Sequence, residues 1–262
     1  MNGFALVTGA SRGIGEAFAR LLAADGVPLI LVARSGDDLS RLKASLLADV
    51  APGLEIVVIE ADLADVSAAA SLADAVESRN LDVDLLINNA GVGAYGPFLN
   101  HAEARLLAIQ TLNMVAPTML CRHFLPKMVE RGSGGVINVA STSAFQPTPG
   151  MAAYGATKSY LLSLTEALAI ELEGTGVTAT ALCPGPTKTH FMAVADMSPT
   201  LDDRFFESAD AVARTGLAAF RAGRTVQVSG AMNWVGAQGQ RLLPRKTLAR
   251  ISGRILKRSL GG

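Results

Sequence analysis

A chain of 262 residues, half of them apolar, is long enough to bury a large core in one domain. Its 23 Lys and Arg balance 23 Asp and Glu, which speaks against a generally basic nucleic-acid surface, and no run of eighteen apolar residues is present to make a membrane span. Cys121 and Cys183 stand far apart in apolar sequence, so reduced core thiols in a cytoplasmic protein without a secretory leader are expected.

In chain order, "FALVTGA" reads as a buried strand that breaks at glycine, and Ile14, Phe18, Leu21 and Leu22 then recur at helical spacing. "PLILVAR" is a second strand, followed by a helix over about 37–50. "LEIVVIEADL" is a third strand, followed by a helix over about 67–79, and "VDLLINNAG" is a fourth. A helical region over 101–131, interrupted near Pro117, precedes "GGVINVAS"; a helix over 152–173 precedes "VTATALCPG"; and "TVQVSG" at 225–230 is the last strand. Strands that are apolar throughout and alternate with helices point to a three-layer α/β/α, Rossmann-like fold with a doubly wound, mainly parallel seven-stranded sheet. No linker divides the chain, so residues 1–262 are expected to form one domain, with a substrate lid over about 190–224 and a basic segment over 241–262.

"TGASRGIG" joins the first strand to the first helix. Gly9, Gly13 and Gly15 permit a tight turn and close backbone approach, and the helix behind them offers unpaired N–H groups to a pyrophosphate. Ser11, Arg12 and Ile14 belong to the same candidate cofactor-binding loop. A tight turn without a ligand is the competing reading. At the end of the second strand, where an acid would bond the ribose of NAD, the sequence has Ala33, Arg34 and Ser35. Arg34 and Arg12 together suit the 2′-phosphate of NADP, so NADP(H) is preferred and NAD(H) remains possible. Asp62 and Leu63 follow the third strand, where they would meet an adenine, although Asp62 equally fits a turn. Asn88, Asn89, Ala90 and Gly91 end the fourth strand on the edge where such sheets bind ligands.

Tyr154 and Lys158, four apart, share one helix face just after the strand that ends at Ser141. An ordinary tyrosine is a poor acid or base at neutral pH, and a nearby ammonium favours its phenolate. "TGASRGIG", "NNAG", Asn113 in "LNMVAP", Ser141 in "NVASTSA", the Tyr154 and Lys158 pair and "PGPTKT" at 184–189 occur in order, and together they resemble the short-chain dehydrogenase/reductase family. The resemblance runs from the first strand to at least residue 189.

That resemblance implies hydride transfer between a nicotinamide and a carbonyl or alcohol carbon. Tyr154 would exchange the proton, Ser141 would orient the substrate oxygen, Lys158 would lower the tyrosine pKa and grip the ribose, and Asn113 would hold a relay water. Pro184 and Gly185 would shape the backbone beside the nicotinamide, with Thr187 and Thr189 as partners for its carboxamide and the phosphate side. The family also implies a homodimer or homotetramer built through the long helices.

Phe191, Met192, Met197, Phe205 and Phe206 in the expected lid, with Tyr95, Gln146 and Met151, favour a hydrophobic carbonyl or alcohol substrate. Ser143 is a further candidate contact, as is His190. His101, His123 and His190 have no metal-ligand spacing. Residues 241–258 hold seven Lys or Arg and no acid, leaving sixteen cations against 23 acids elsewhere. Leu248, Ile251 and Ile255 recur on one side of this segment, and Arg250, Arg254, Lys257 and Arg258 occupy much of the other. Such a helix covers its own domain, joins a subunit interface or lies on an anionic membrane; Gly253 weakens it. The competing functions are a 3-oxoacyl-thioester reductase, a non-catalytic NADP-binding regulator, a nucleotide-sugar epimerase and, on the basic segment alone, a nucleic-acid-binding module.

Overall fold

Seven parallel strands make the central sheet: β1 (Phe4–Thr8), β2 (Leu29–Ala33), β3 (Ile56–Glu60), β4 (Val83–Asn88), β5 (Gly134–Val139), β6 (Val177–Cys183) and β9 (Val226–Val228). Two shorter strands, β7 (Thr187–Lys188) and β8 (Glu207–Ser208), pair beside it. These elements come from a computed structural model that describes residues 3–189, 191, 195, 206–240 and 243–259. The spatial order β3-β2-β1-β4-β5-β6-β9 reverses direction between β1 and β4. The carboxyl ends of those two strands therefore flank the crevice where a doubly wound sheet binds its ligand.

Both faces of the sheet are apolar because both are covered. On β1, Phe4 and Leu6 point into one core with Leu72, Leu120 and Phe124, while Ala5 and Val7 point into the other with Phe18, Leu22 and Leu39. The period of two divides one strand between two interiors. Helices α3 (Ala68–Glu77), α5 (Ala116–Arg131) and α6 (Ala152–Glu171) cover the first face; α1 (Gly13–Ala24), α2 (Gly36–Asp49) and α7 (Ala209–Arg221) cover the second. Among the described residues, no helix is long and apolar enough to cross a membrane.

Two features differ from the sequence reading. The helical region after residue 101 is not interrupted at Pro117. Helix α4 (Glu103–Gln110) runs into one π-helical turn, Thr111–Val115, in which the Ala116 N–H reaches the Thr111 carbonyl, and Pro117 sits in α5 directly after that wider turn. The lid expected over 190–224 does not extend through residues 209–221. These form α7, which buries Val212, Ala213 and Leu217, and a Cβ on its Gly216 would stand 2.8 Å from Leu182 and 2.9 Å from Phe18. Of the expected lid side chains, Met192, Met197 and Phe205 lie outside the described residues, as does His190. The basic segment is the helix expected of it, α9 (Arg245–Ser259), preceded by α8 (Ala231–Gly239), and α9 reaches the candidate site.

Candidate active site

The glycine loop closes against the end of β4. Gly9 and Gly13 have φ of +65° and +59°, which a side chain would strain, and a Cβ on Gly15 would stand 2.2 Å from the Gly9 carbonyl. Asn89 ties the loop down: its Nδ2 donates to the carbonyls of Thr8 (2.9 Å) and Gly9 (3.3 Å). Thr8 Oγ1 completes the junction by accepting from the N–H groups of Asn89 and Ala90, both at 3.0 Å. No side chain caps α1, so the first N–H donors of that helix suit an anion. Gly15→Ala is expected to destabilise the fold by about 2–3 kcal/mol, because the clash is with backbone that cannot move aside. It should also weaken dinucleotide binding at least tenfold, checked by thermal melting alongside a fluorescence titration with NADPH.

A cavity of about 780 Å³ opens above this loop. Ser11, Arg12, Ile14, Arg34, Asp62 and Leu63 line one end of it. Arg34 is exposed and makes no ion pair among the described residues, whereas Arg12 pairs with Asp38 at 3.5 Å. Arg41 and the Ser35 hydroxyl hold the Asp38 carboxyl below its ordinary pKa, with a smaller contribution from Arg12. Ser35, beside the absent acid, caps α2 by accepting from the Asp38 N–H. Asp62 Oδ1 accepts from the Ala64 N–H at 3.1 Å, which is the turn role left open for it. Asn88 faces away from the cavity. Its Nδ2 donates to Asn138 Oδ1 at 2.8 Å, and Asn138 in turn donates to Thr165, linking β4, β5 and α6 through the core.

The other end of the cavity holds Ser141, Tyr154 and Lys158, all at most 8% exposed. Ser141 leaves β5 in extended conformation and Tyr154 lies in the first turn of α6, so a strand end and a helix start place the two hydroxyls together. Burial pushes the Tyr154 phenol up to about 12, against the opposing hydrogen bond with Ser141. Burial pulls the Lys158 ammonium down to about 8. Lys158 Nζ donates to the Val139 carbonyl at 2.7 Å and lies 5.7 Å from the centre of the Tyr154 ring. Burial therefore outweighs the Ser141 hydrogen bond that favours the phenolate, with the Lys158 ammonium held beside the ring.

Asn113 lies in the π-helical turn and clamps backbone. Its Oδ1 accepts from the Val92 N–H at 3.0 Å, while its Nδ2 donates to the Val92 carbonyl at 2.9 Å and to Thr157 Oγ1 at 3.0 Å. Thr157 donates to the Tyr154 carbonyl at 2.7 Å, so this threonine, not singled out from sequence, joins the clamp to the tyrosine's own helix turn. Gly91 is hemmed in beside them: a Cβ there would stand 3.3 Å from Asn113 Oδ1 and 3.4 Å from Lys158 Nζ. Asn113 thus supports the loop after β4.

After β6 the chain passes Pro184, Gly185, Thr187 and Thr189, all lining the cavity. Thr187 Oγ1 donates to the Gly185 carbonyl, and Thr189 packs over the glycine loop, where a Cβ on Gly13 would meet it at 3.1 Å. A Cβ on Gly185 would stand 2.3 Å from Asn233, whose amide donates to Glu207 and to the Ser229 carbonyl. This network beneath the 184–189 segment joins residues too distant in sequence to suggest one another.

Substrate space lies beyond Tyr154. Phe191 tilts against the Tyr154 ring with centroids 5.2 Å apart, and Met151 packs beside them. Ser143 and Gln146 line the cavity; Tyr95 supports the aromatic cluster from outside it, and Phe206 lies off it. The far wall comes from α9, where Ser252, Ile255 and Leu256 line the cavity. Ser252 Oγ donates to the Pro147 carbonyl at 2.6 Å and pins the helix there. Cys121 and Cys183 are buried free thiols, both pushed up to about 12 by burial, which keeps them protonated and unreactive.

The sequence matches the short chain dehydrogenase family over residues 3–198. It is 36% identical over 180 residues to a ketoacyl reductase of Nostoc, covering 69% of this chain and 62% of that one. The chain thus spans about three-fifths of the length of the first curated relatives it matches. A short-chain dehydrogenase from Sphingobium yanoikuyae, solved in complex with NADPH, is 31% identical with a TM-score of 0.82, over 92% of this chain and 94% of that one. A bulky-bulky ketone specific alcohol dehydrogenase from Comamonas testosteroni is 29% identical with a TM-score of 0.78, over 92% and 93% of the two chains. With the glycine loop and the Ser141, Tyr154 and Lys158 group on one cavity, and the family match across most of the sequence, this chain belongs to the short-chain dehydrogenase family.

Proposed function

We propose that the protein is an NADP-dependent oxidoreductase that reduces a hydrophobic ketone. The observation that carries this reading is the convergence of a phosphate-cradling loop and a buried Ser141, Tyr154 and Lys158 group on one cavity. The residues fit a dinucleotide: Gly9, Gly13 and Gly15 let the loop pack against Asn89, Thr189 and its own backbone where side chains would clash, and the uncapped start of α1 suits a pyrophosphate. The nicotinamide, when bound, supplies or accepts the hydride. Tyr154 Oη delivers the proton to the substrate oxygen, and the phenol pKa of about 12 keeps that proton in place at neutral pH. Ser141 Oγ orients the same oxygen and stabilises its developing charge. Lys158 Nζ holds ribose hydroxyls, and Asn113 keeps the Val92 backbone and the start of α6 in register.

Arg34 sets the cofactor preference, with Arg12 exchanging its Asp38 partner for the 2′-phosphate. The NADPH complex of the Sphingobium relative supports this reading. Substrate preference follows from the apolar walls at Met151, Phe191, Ile255 and Leu256 and agrees with the ketone named for the Comamonas relative. A homo-oligomer built through α5 and α6 is supported by exposed Met119, Tyr160 and Ile170 on those helices. The Nostoc relative favours a second reading, a 3-oxoacyl-thioester reductase, distinguished by turnover of a carrier-bound thioester in preference to a free ketone.

Paired fluorescence titrations with NADPH and NADH test the cofactor assignment. Wild type is expected to bind NADPH at least tenfold more tightly, and Arg34→Ala to remove about 1.5–3 kcal/mol from NADPH binding alone, the worth of a hydrogen bond to a charged group. Equal affinities unchanged by the substitution would defeat it.

A further inference from the structure

We propose that the surface formed by α8 and α9 seats on an anionic lipid bilayer beside the mouth of the substrate cavity. Helix α9 has a fixed inner side: Leu248 is buried, Ser252 is bonded to the Pro147 carbonyl, and Gly253 lies against Pro149. Its outer side carries Lys246, Arg250, Arg254 and Lys257, all exposed. None of these four makes an ion pair among the described residues.

Large apolar side chains are exposed among and beside these cations. Ile251 and Ile255 lie on α9, Leu243 just before it, and Met232, Trp234 and Val235 on α8, with Trp234 52% exposed. A small cavity lined by Ala237, Gln240, Arg245 and Leu248 lies between the two helices. Cations alone would suit a phosphate backbone, but exposed Trp, Met, Val and Ile beside them match a headgroup and acyl boundary. A second copy of the same face is opposed by charge, because a two-fold contact would set the cations of α9 against themselves.

The location adds a consequence. Ile255 is 58% exposed and also lines the cavity, so one helix edge borders both the outside and the substrate space. An apolar substrate dissolved in the bilayer would reach the cavity along that edge without crossing water. The docking is independent of the hydride chemistry, and its test does not use activity.

The full chain is mixed with vesicles of phosphatidylcholine alone or with added phosphatidylglycerol, and association is read by co-sedimentation and by the emission of Trp234, the chain's single tryptophan. Binding to the anionic vesicles only, weakened by salt and accompanied by a blue shift, is expected. The R250E/R254E double variant should lose at least about 25-fold in partitioning, taking roughly fivefold per cation near the surface, with an unchanged melting temperature. No association at low salt, or undiminished binding by the double variant, would overturn the proposal. So would Trp234 emission already blue-shifted without vesicles in a dimer that buries it.

Discussion

Tyr154→Phe is expected to lower kcat/KM for carbonyl reduction by about a thousandfold while leaving the fold and NADPH binding intact. The substitution keeps the ring that packs against Phe191 and Met151 and removes only the hydroxyl facing Ser141. It therefore separates proton delivery from packing. Steady-state kinetics with a bulky apolar ketone, run beside a thermal melt and an NADPH titration, provide the check. Activity within tenfold of wild type would remove the phenol from the reaction.

Lys158→Met is expected to abolish turnover and to stabilise the protein. The Lys158 pKa falls from 10.5 to about 8 through burial, so between those values the folded state binds fewer protons than the unfolded state and stability rises with pH. Below pH 8 the buried ammonium is a full burden of about 3 kcal/mol, at 1.36 kcal/mol for each pH unit of the shift. Methionine removes that burden and gives up a hydrogen bond from a charged donor to the Val139 carbonyl, worth about 1.5–3 kcal/mol. A net gain of up to about 1.5 kcal/mol corresponds to a melting temperature higher by up to about 6 °C. The same lysine sets the pH profile. With the phenol near 12, kcat/KM for NADPH should fall in wild type as pH rises through about 8, where the ammonium is lost. A lower melting temperature in the variant at pH 7 would contradict the burden assigned to this charge.

The sheet was readable because most strands are nearly continuous apolar runs, as a sheet covered on both faces requires. The glycine loop was readable because its spacing is local, as was the pairing of Tyr154 with Lys158 one helical turn apart. What stayed hidden depends on distance or on hydrogen-bond register. The π-helical turn at Thr111–Val115 leaves no mark in the apolar period, and Pro117 marked a helix start that resembles a break. The amphipathic pattern of residues 245–259 gave an apolar side without naming what it covers. Only the fold brings Leu256 to the Tyr154 cluster, 102 positions earlier in the chain. The burial of Tyr154 was hidden for the same reason: the i, i+4 spacing put the ammonium near the ring, while the depth of burial was not visible.

Transfer of deuterium from NADPH carrying two deuterons at nicotinamide C4 to a bulky apolar ketone, read by mass spectrometry of the alcohol, tests the central claim most directly. Wild type should place the label on the carbinol carbon, and Tyr154→Phe should place almost none there in the same time. Unlabelled alcohol, or equal labelling by both proteins, would contradict hydride transfer assisted by Tyr154.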